Sequence, residues 1–316
     1  MRDLRIVFMG TPQFAVGVLQ KLIENQYPIV GVITAPDRPS GRGRKVTPSA
    51  VKEYALQQNL PLLQPTNLKD ENFLKTLKNL NANLQIVVAF RMLPKVVWQM
   101  PAYGTFNLHA SLLPQYRGAA PINWAIINGE EETGVTTFFI DDKIDTGAII
   151  ASEKVSISLK ETFESLHDTL MHEGSNLVLK TLQLIENNKA LPKPQPKTAT
   201  FKEAPKLTNE NTRINWHATL QEIDRFIRGL SPYPAAWTML QNGHEEIRMV
   251  KIYSATLIIE KHTSIIGSIC ATKKEVKVAT KEGYLKIEEL QLPGKRKMKT
   301  HELLNGFSFE KEARFF

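Results

Sequence analysis

The run Gly104-Thr105-Phe106-Asn107-Leu108-His109 passes from apolar to polar side chains, and Asn107 and His109 stand two residues apart. On an extended chain that spacing projects both from one face. Ser111-Leu112-Leu113-Pro114 and Tyr116-Arg117-Gly118 follow at once. Asp145 lies in Ile140-Asp141-Asp142-Lys143-Ile144-Asp145-Thr146-Gly147, after a second apolar run. A carboxamide, an imidazole and a carboxylate brought together suit attack of an amine on an acyl carbon. The carboxamide N–H and a protonated imidazole stabilise the oxyanion of the tetrahedral intermediate. The carboxylate supports the imidazole while a proton leaves the amine. No serine or cysteine nucleophile is needed, in keeping with a chain that lacks G-x-S-x-G. Each residue also has an ordinary structural role open to it. A strand-end histidine is often simply hydrogen-bonded, and an asparagine there can cap a turn. Asp-Thr-Gly is a common turn, also found in aspartic proteases, but those are all-β with two such triplets.

The elements that must position these residues begin with a βαβ unit. Leu4–Met9 reads as a buried strand, Gly10-Thr11-Pro12 breaks it, and Phe14, Val18, Leu19 and Leu22 recur at helical spacing before a second strand at Ile29–Thr34. The turn lacks G-x-G-x-x-G, so the frame is Rossmann-like without a dinucleotide site. Further strands are expected at 84–90, 104–109 and 134–140, and a long helix over 162–186. In open sheets of this kind ligands sit at strand carboxyl ends, where neighbouring ends bring Asn107, His109 and Asp145 together. The expected fold class is α/β: a doubly wound, mostly parallel sheet over residues 1–186, then a Pro/Lys-rich linker at 187–206. The third part, 207–316, is a small OB-like β-barrel, with a helix at 220–230 and a hairpin at 275–287 around a Lys-Glu-Gly turn.

Composition narrows the function classes. The chain has 316 residues, 42% hydrophobic and 23% charged, with a net charge of +8. Residues 1–186 are neutral overall, so the whole excess sits in residues 187–316, with 22 Lys+Arg against 14 Asp+Glu. That asymmetry suits a catalytic part followed by a part that meets a polyanion, with Lys295, Arg296, Lys297 and Lys299 as its densest run. One basic stretch lies in the neutral part: Arg38, Arg42, Arg44 and Lys45 stand among prolines and glycines, with Asp37 before them. The single cysteine, Cys270, cannot form an internal disulfide or a cysteine-based metal site, and is expected to be small, buried and unreactive. No apolar run approaches the ~18 residues of a membrane span. The expectation is a cytoplasmic protein without a membrane segment, and a monomer.

In combination, the motifs Asn-Leu-His-Ala-Ser-Leu-Leu-Pro (107–114), Tyr-Arg-Gly-Ala-Ala-Pro-Ile (116–122), Glu-Thr-Gly-Val-Thr (132–136) and Asp-Thr-Gly (145–147) resemble the folate-dependent formyltransferases. Gly-Thr-Pro-Gln-Phe-Ala (10–15), the Pro-Asp-Arg-Pro loop at 36–39, Arg-Ile-Asn-Trp (213–216) and Ser-Pro-Tyr-Pro-Ala-Ala-Trp (231–237) resemble the tRNA-acting branch of that family. The resemblance implies 10-formyltetrahydrofolate as formyl donor, methionyl initiator tRNA as acceptor, and no metal. It implies Asn107, His109 and Asp145 as catalytic residues and Ser111, Leu112, Leu113 and Pro114 as folate-binding. It also implies a basic loop at Arg38, Arg42, Arg44 and Lys45 that reaches the acceptor stem, and a barrel that holds tRNA. The alternatives are a nucleotide-sugar or other small-amine formyltransferase, or a tRNA-binding protein on an inactive frame. Phe90-Arg91 stands where many relatives carry Tyr-Gly. It puts a bulky cation beside the expected pterin pocket, either turned away or on the folate tail.

Overall fold

The structure, a computed structural model, describes residues 2–40, 45–197 and 200–316. The chain divides into two compact units. The first comprises residues 1–118, 132–156 and 167–203, the second residues 119–131, 157–166 and 204–316.

The first unit is built on a seven-stranded sheet. Its strands are β1 (Ile6–Gly10), β2 (Ile29–Ile33), β3 (Leu62–Leu63), β4 (Leu84–Val88), β5 (Thr105–His109), β6 (Glu132–Phe139) and β7 (Ile149–Ser156), in the spatial order β7-β6-β5-β4-β1-β2-β3. The five strands from β5 to β3 are parallel; β6 pairs antiparallel with β5, and β7 pairs antiparallel with β6. This is the doubly wound, mostly parallel sheet expected from the sequence. Every residue of β1 and of β4 is buried, as both-face coverage by helices requires. Helix α1 (Gln13–Glu24) buries Phe14, Val18, Leu19 and Leu22. It packs so closely on Gly10 that an added Cβ there would lie 2.5 Å from that of Ala15. The long helix α2 (Phe163–Glu186) matches the predicted span to one residue.

The order of strands corrects one expectation. Because β6 is antiparallel to β5, with Phe106 opposite Phe139 and His109 opposite Thr136, the end of β6 lies beside the start of β5. Asp145 is therefore not on a neighbouring strand end. The loop between β6 and β7 must double back along the sheet to reach His109.

In the second unit, helix α3 (Leu220–Leu230) covers the predicted residues. It opens with a reciprocal cap, in which the Thr219 side chain accepts from Glu222 N–H and Glu222 accepts from Thr219 N–H. An antiparallel sheet follows: β8 (Ala236–Gln241), β9 (Arg248–Ile259), β10 (Ile269–Ala271), β11 (Val276–Ala279), β12 (Gly283–Gln291) and β13 (Arg314–Phe315). The order is β10-β11-β12-β9-β8-β13. A bridge from Ser268 to Arg314 joins its two ends, so the sheet is a nearly closed barrel. Val250, Ile252, Val278, Leu285, Ile287 and Phe315 fill it together with Ile223 and Ile227 of α3. Trp216 stacks on Phe315 at 5.6 Å and donates its indole N–H to Thr238 Oγ1. Cys270 is exposed, contrary to expectation. Strand alternation turns its neighbour Ile269 inward and leaves Cys270 on the outer face opposite Lys277.

Candidate active site

β5 carries the first two site residues. Asn107 lies opposite Val87 on one side and Phe138 on the other, which fixes its depth in the sheet. Its Oδ1 is buried and accepts no hydrogen bond within the protein. A buried amide oxygen without a donor is costly, so this oxygen has the capacity to accept an N–H or O–H.

His109 ends β5 and is 7% exposed. Its Nε2 lies 2.8 Å from the Tyr116 carbonyl, and its Nδ1 lies 3.8 Å from Asp145 Oδ2. Both ring nitrogens thus face oxygen acceptors. A carbonyl oxygen only accepts, so Nε2 carries a proton and donates it to Tyr116. The 3.8 Å separation is an ion-pair distance, not a hydrogen bond. The Nε2–H of the imidazole, the group expected to face the oxyanion, is directed at the Tyr116 carbonyl. The turn after β5 brings the chain back over the ring, with Tyr116 in a left-handed conformation at φ +58°.

Asp145 is itself left-handed, at φ +53°. Its Oδ2 accepts the Gly118 backbone N–H at 3.0 Å. Gln195 Nε2 donates to the carbonyls of Asp145 at 2.8 Å and Gly147 at 3.0 Å. Gln195 Oε1 accepts from Arg117 at 2.6 Å, and the Arg117 guanidinium lies over the Phe201 ring at 5.1 Å. Gly147 admits no side chain, since an added Cβ would lie 1.7 Å from the Phe139 carbonyl oxygen. Nothing in the sequence marks Arg117 for a role, and Gln195 reads as linker. Between two prolines, a neutral amide carries no sequence signal of its contacts.

Ser111 to Pro114 form the loop that leaves β5. Thr136 of β6 holds it, donating to the Ser111 carbonyl at 2.7 Å and accepting the Leu113 N–H at 3.3 Å. Ser111, Leu113 and Pro114 are buried and the Leu113–Pro114 peptide is cis, while Leu112 packs across the face of Gly134.

The basic loop is only partly described. Arg38 is exposed and opens a ribbon of Arg38–Ser40 against Lys45–Thr47, so Lys45 begins the return strand. Arg42 and Arg44 lie outside the described residues. The ribbon's base is tied by Asp37, whose carboxylate accepts from Lys52 Nζ at 2.5 Å and Gln64 Nε2 at 2.8 Å. Those two bonds, Lys52 first, hold its carboxyl below the usual range. Arg91 is turned onto the Pro65 and Thr66 carbonyls, which answers its orientation. Burial and then nearby Arg38 lower its guanidinium from the ordinary value. Among the described residues no group of three or more His, Cys, Asp or Glu could hold a metal ion, and no helix is long and apolar enough to cross a membrane.

Residues 4–182 match the formyl transferase family, and residues 206–308 match the formyl transferase C-terminal domain. A methionyl-tRNA formyltransferase of Flavobacterium johnsoniae is 59% identical over the whole of both chains. Among solved structures, HypX from Aquifex aeolicus in complex with tetrahydrofolic acid is 18% identical at a TM-score of 0.65, covering 96% of this chain and 47% of that one. WlaRD, a sugar 3N-formyltransferase in the presence of dTDP and 5-N-formyl-THF, is 21% identical at a TM-score of 0.63, covering 94% and 100%. The chain belongs to the formyl transferase family, in its methionyl-tRNA formyltransferase branch.

Proposed function

We infer that the protein transfers a formyl group from 10-formyltetrahydrofolate to the amino group of methionyl initiator tRNA, giving formyl-methionyl-tRNA for translation initiation. The observation that carries this reading is the group formed by Asn107, His109 and Asp145, in a chain 59% identical end to end to a methionyl-tRNA formyltransferase.

In this reading the tRNA-borne methionine amine attacks the formyl carbon of the folate, the bond from that carbon to N10 breaks, and the proton the amine loses goes to N10 of the departing tetrahydrofolate. Asn107 gives the formyl oxygen an N–H and offers the unpartnered Oδ1 to the incoming amine. His109 brings positive charge to the developing oxyanion. Its Nε2–H, which donates to the Tyr116 carbonyl at 2.8 Å, turns toward that oxygen as it forms. Asp145 stabilises the imidazolium across 3.8 Å and keeps the ring oriented. The loop from Ser111 to Pro114 lines the folate side of the site. Its tie to Thr136 suits a rigid wall rather than a moving lid. The loop at Arg38, Arg42, Arg44 and Lys45 meets the acceptor end of the tRNA. The domains are a catalytic part at 1–186, a connecting segment at 187–206 and a tRNA-binding barrel at 207–316. The enzyme is cytoplasmic and monomeric.

The test offers 10-formyltetrahydrofolate with methionyl initiator tRNA, uncharged tRNA or a dTDP-amino sugar, and weighs the products after ester hydrolysis. Formyl-methionine from the charged tRNA alone supports the reading. A formylated sugar with no formyl-methionine assigns the enzyme a small-amine acceptor instead.

A further inference from the structure

The segment that the sequence presents as a plain linker places a side chain on the site. Lys193 and Ile149 exchange backbone hydrogen bonds, each of 2.8 Å, which sets this segment beside the start of β7. Two residues on, Gln195 is aimed at the Asp145 loop. Its orientation is unambiguous: Arg117 carries only donors, so the amide oxygen must face Arg117 and the NH2 must face the two carbonyls. The contacts close a ring. Gly118 N–H holds the Asp145 carboxylate, Gln195 holds the Asp145 and Gly147 carbonyls, and Arg117, next to Gly118, holds Gln195. Asp145 therefore has both its side chain and its left-handed backbone fixed from outside its own loop. The geometry points to Gln195 as a positioning residue for the reaction, with Arg117 as its orienting partner. It sets the carboxylate where it faces His109 and touches no substrate. The inference rests on the reading of Asp145 as catalytic.

The test uses the full-length enzyme with Gln195→Glu and Gln195→Met, alongside Arg117→Lys and Asp145→Asn. Gln195→Glu keeps an acceptor for Arg117 but loses both N–H donors, and Gln195→Met keeps the length and loses every bond. Thermal unfolding identifies the variants that remain folded, and Gln195→Glu, polar at a half-buried position, secures the test if the methionine variant does not. Displacing a reacting group by about 1 Å costs on the order of 100-fold. Both Gln195 variants should accordingly lose about 10- to 100-fold in kcat. KM for folate and for tRNA should stay within about twofold, a split that a general loss of structure would not give. Arg117→Lys, which still donates to Gln195 Oε1, should fall less. A Gln195→Glu enzyme with kcat within about threefold of wild type, while Asp145→Asn is crippled, overturns the inference alone. Full activity in Asp145→Asn overturns the reading of Asp145, and the inference falls with it.

Discussion

Asp145 holds its carboxylate 3.8 Å from His109 Nδ1 although the strand before it, β6, runs antiparallel to the strand that ends at His109. An antiparallel neighbour would ordinarily carry the following loop to the opposite end of the sheet. Here the loop doubles back, and the left-handed backbone of Asp145 is part of the result. That conformation costs about 1–2 kcal/mol for most residues, less for aspartate. The Gly118 and Gln195 hydrogen bonds offset it. His109 is consequently set between two oxygens of different kind, a carboxylate and the Tyr116 carbonyl, and the ring can carry charge without leaving its pocket.

Arg91, expected beside the pterin pocket, spends its guanidinium on two backbone carbonyls. Replacing it with methionine leaves the Pro65 and Thr66 carbonyls without that donor and should cost about 1–2 kcal/mol. The melting temperature should fall by about 2–4 °C, with the folate KM changed less than about threefold. A folate KM raised tenfold with unchanged melting would place Arg91 on the substrate.

The Asp37 carboxylate is held below its ordinary pKa by Lys52 and then Gln64. A group lowered in the folded state stabilises it above the unfolded value, here near 3.8, and that contribution fades as the pH falls through the lower folded value. Wild type should therefore melt above Asp37→Asn at pH 7, and the gap should narrow as the pH is lowered below 3.8. A gap that does not narrow at all below that pH would show that the charge on Asp37 is not what ties the ribbon base.

On the barrel, the basic run divides. Arg296 lies 3.5 Å from Glu302, and Lys297 lies 3.0 Å from Glu289 and 5.3 Å from the Tyr253 ring centre. Among the described residues Lys295 and Lys299 pair with no carboxylate. Lys295→Ala and Lys299→Ala should each reduce the salt slope of tRNA binding by about 0.7–1. Arg296→Ala and Lys297→Ala should do less, because each cation is already offset by its carboxylate partner and is less available to phosphate. Equal slopes in all four variants would mean that these ion pairs open when tRNA binds.

Much of this architecture was legible in the sequence because its signals are periodic. The buried runs of β1 and β4, the apolar stripe of α1, the span of α3 and the hairpin around Lys281-Glu282-Gly283 each follow from side-chain spacing. β7 was not foreseen, since it is an edge strand with Glu153 and Lys154 exposed and no apolar alternation to mark it. Asn107 and His109 were legible because i, i+2 spacing on a strand is enough to put them on one face. The route of Asp145 was not, because strand direction is set by pairing across the sheet. Gln195 was invisible for a related reason: its partners are carbonyls and an arginine about 50 and 78 residues away in sequence.

The central claim is that Asn107, His109 and Asp145 perform the transfer while other surfaces hold the tRNA. Its most direct test is single-turnover formyl transfer to methionyl initiator tRNA by Asn107→Ala, His109→Ala and Asp145→Ala, with tRNA affinity measured on the same samples. The account predicts a loss of about 100-fold or more in each transfer rate, with the dissociation constant for tRNA within about twofold of wild type. A transfer rate within threefold of wild type in any one of the three would remove that residue from the chemistry and contradict the account.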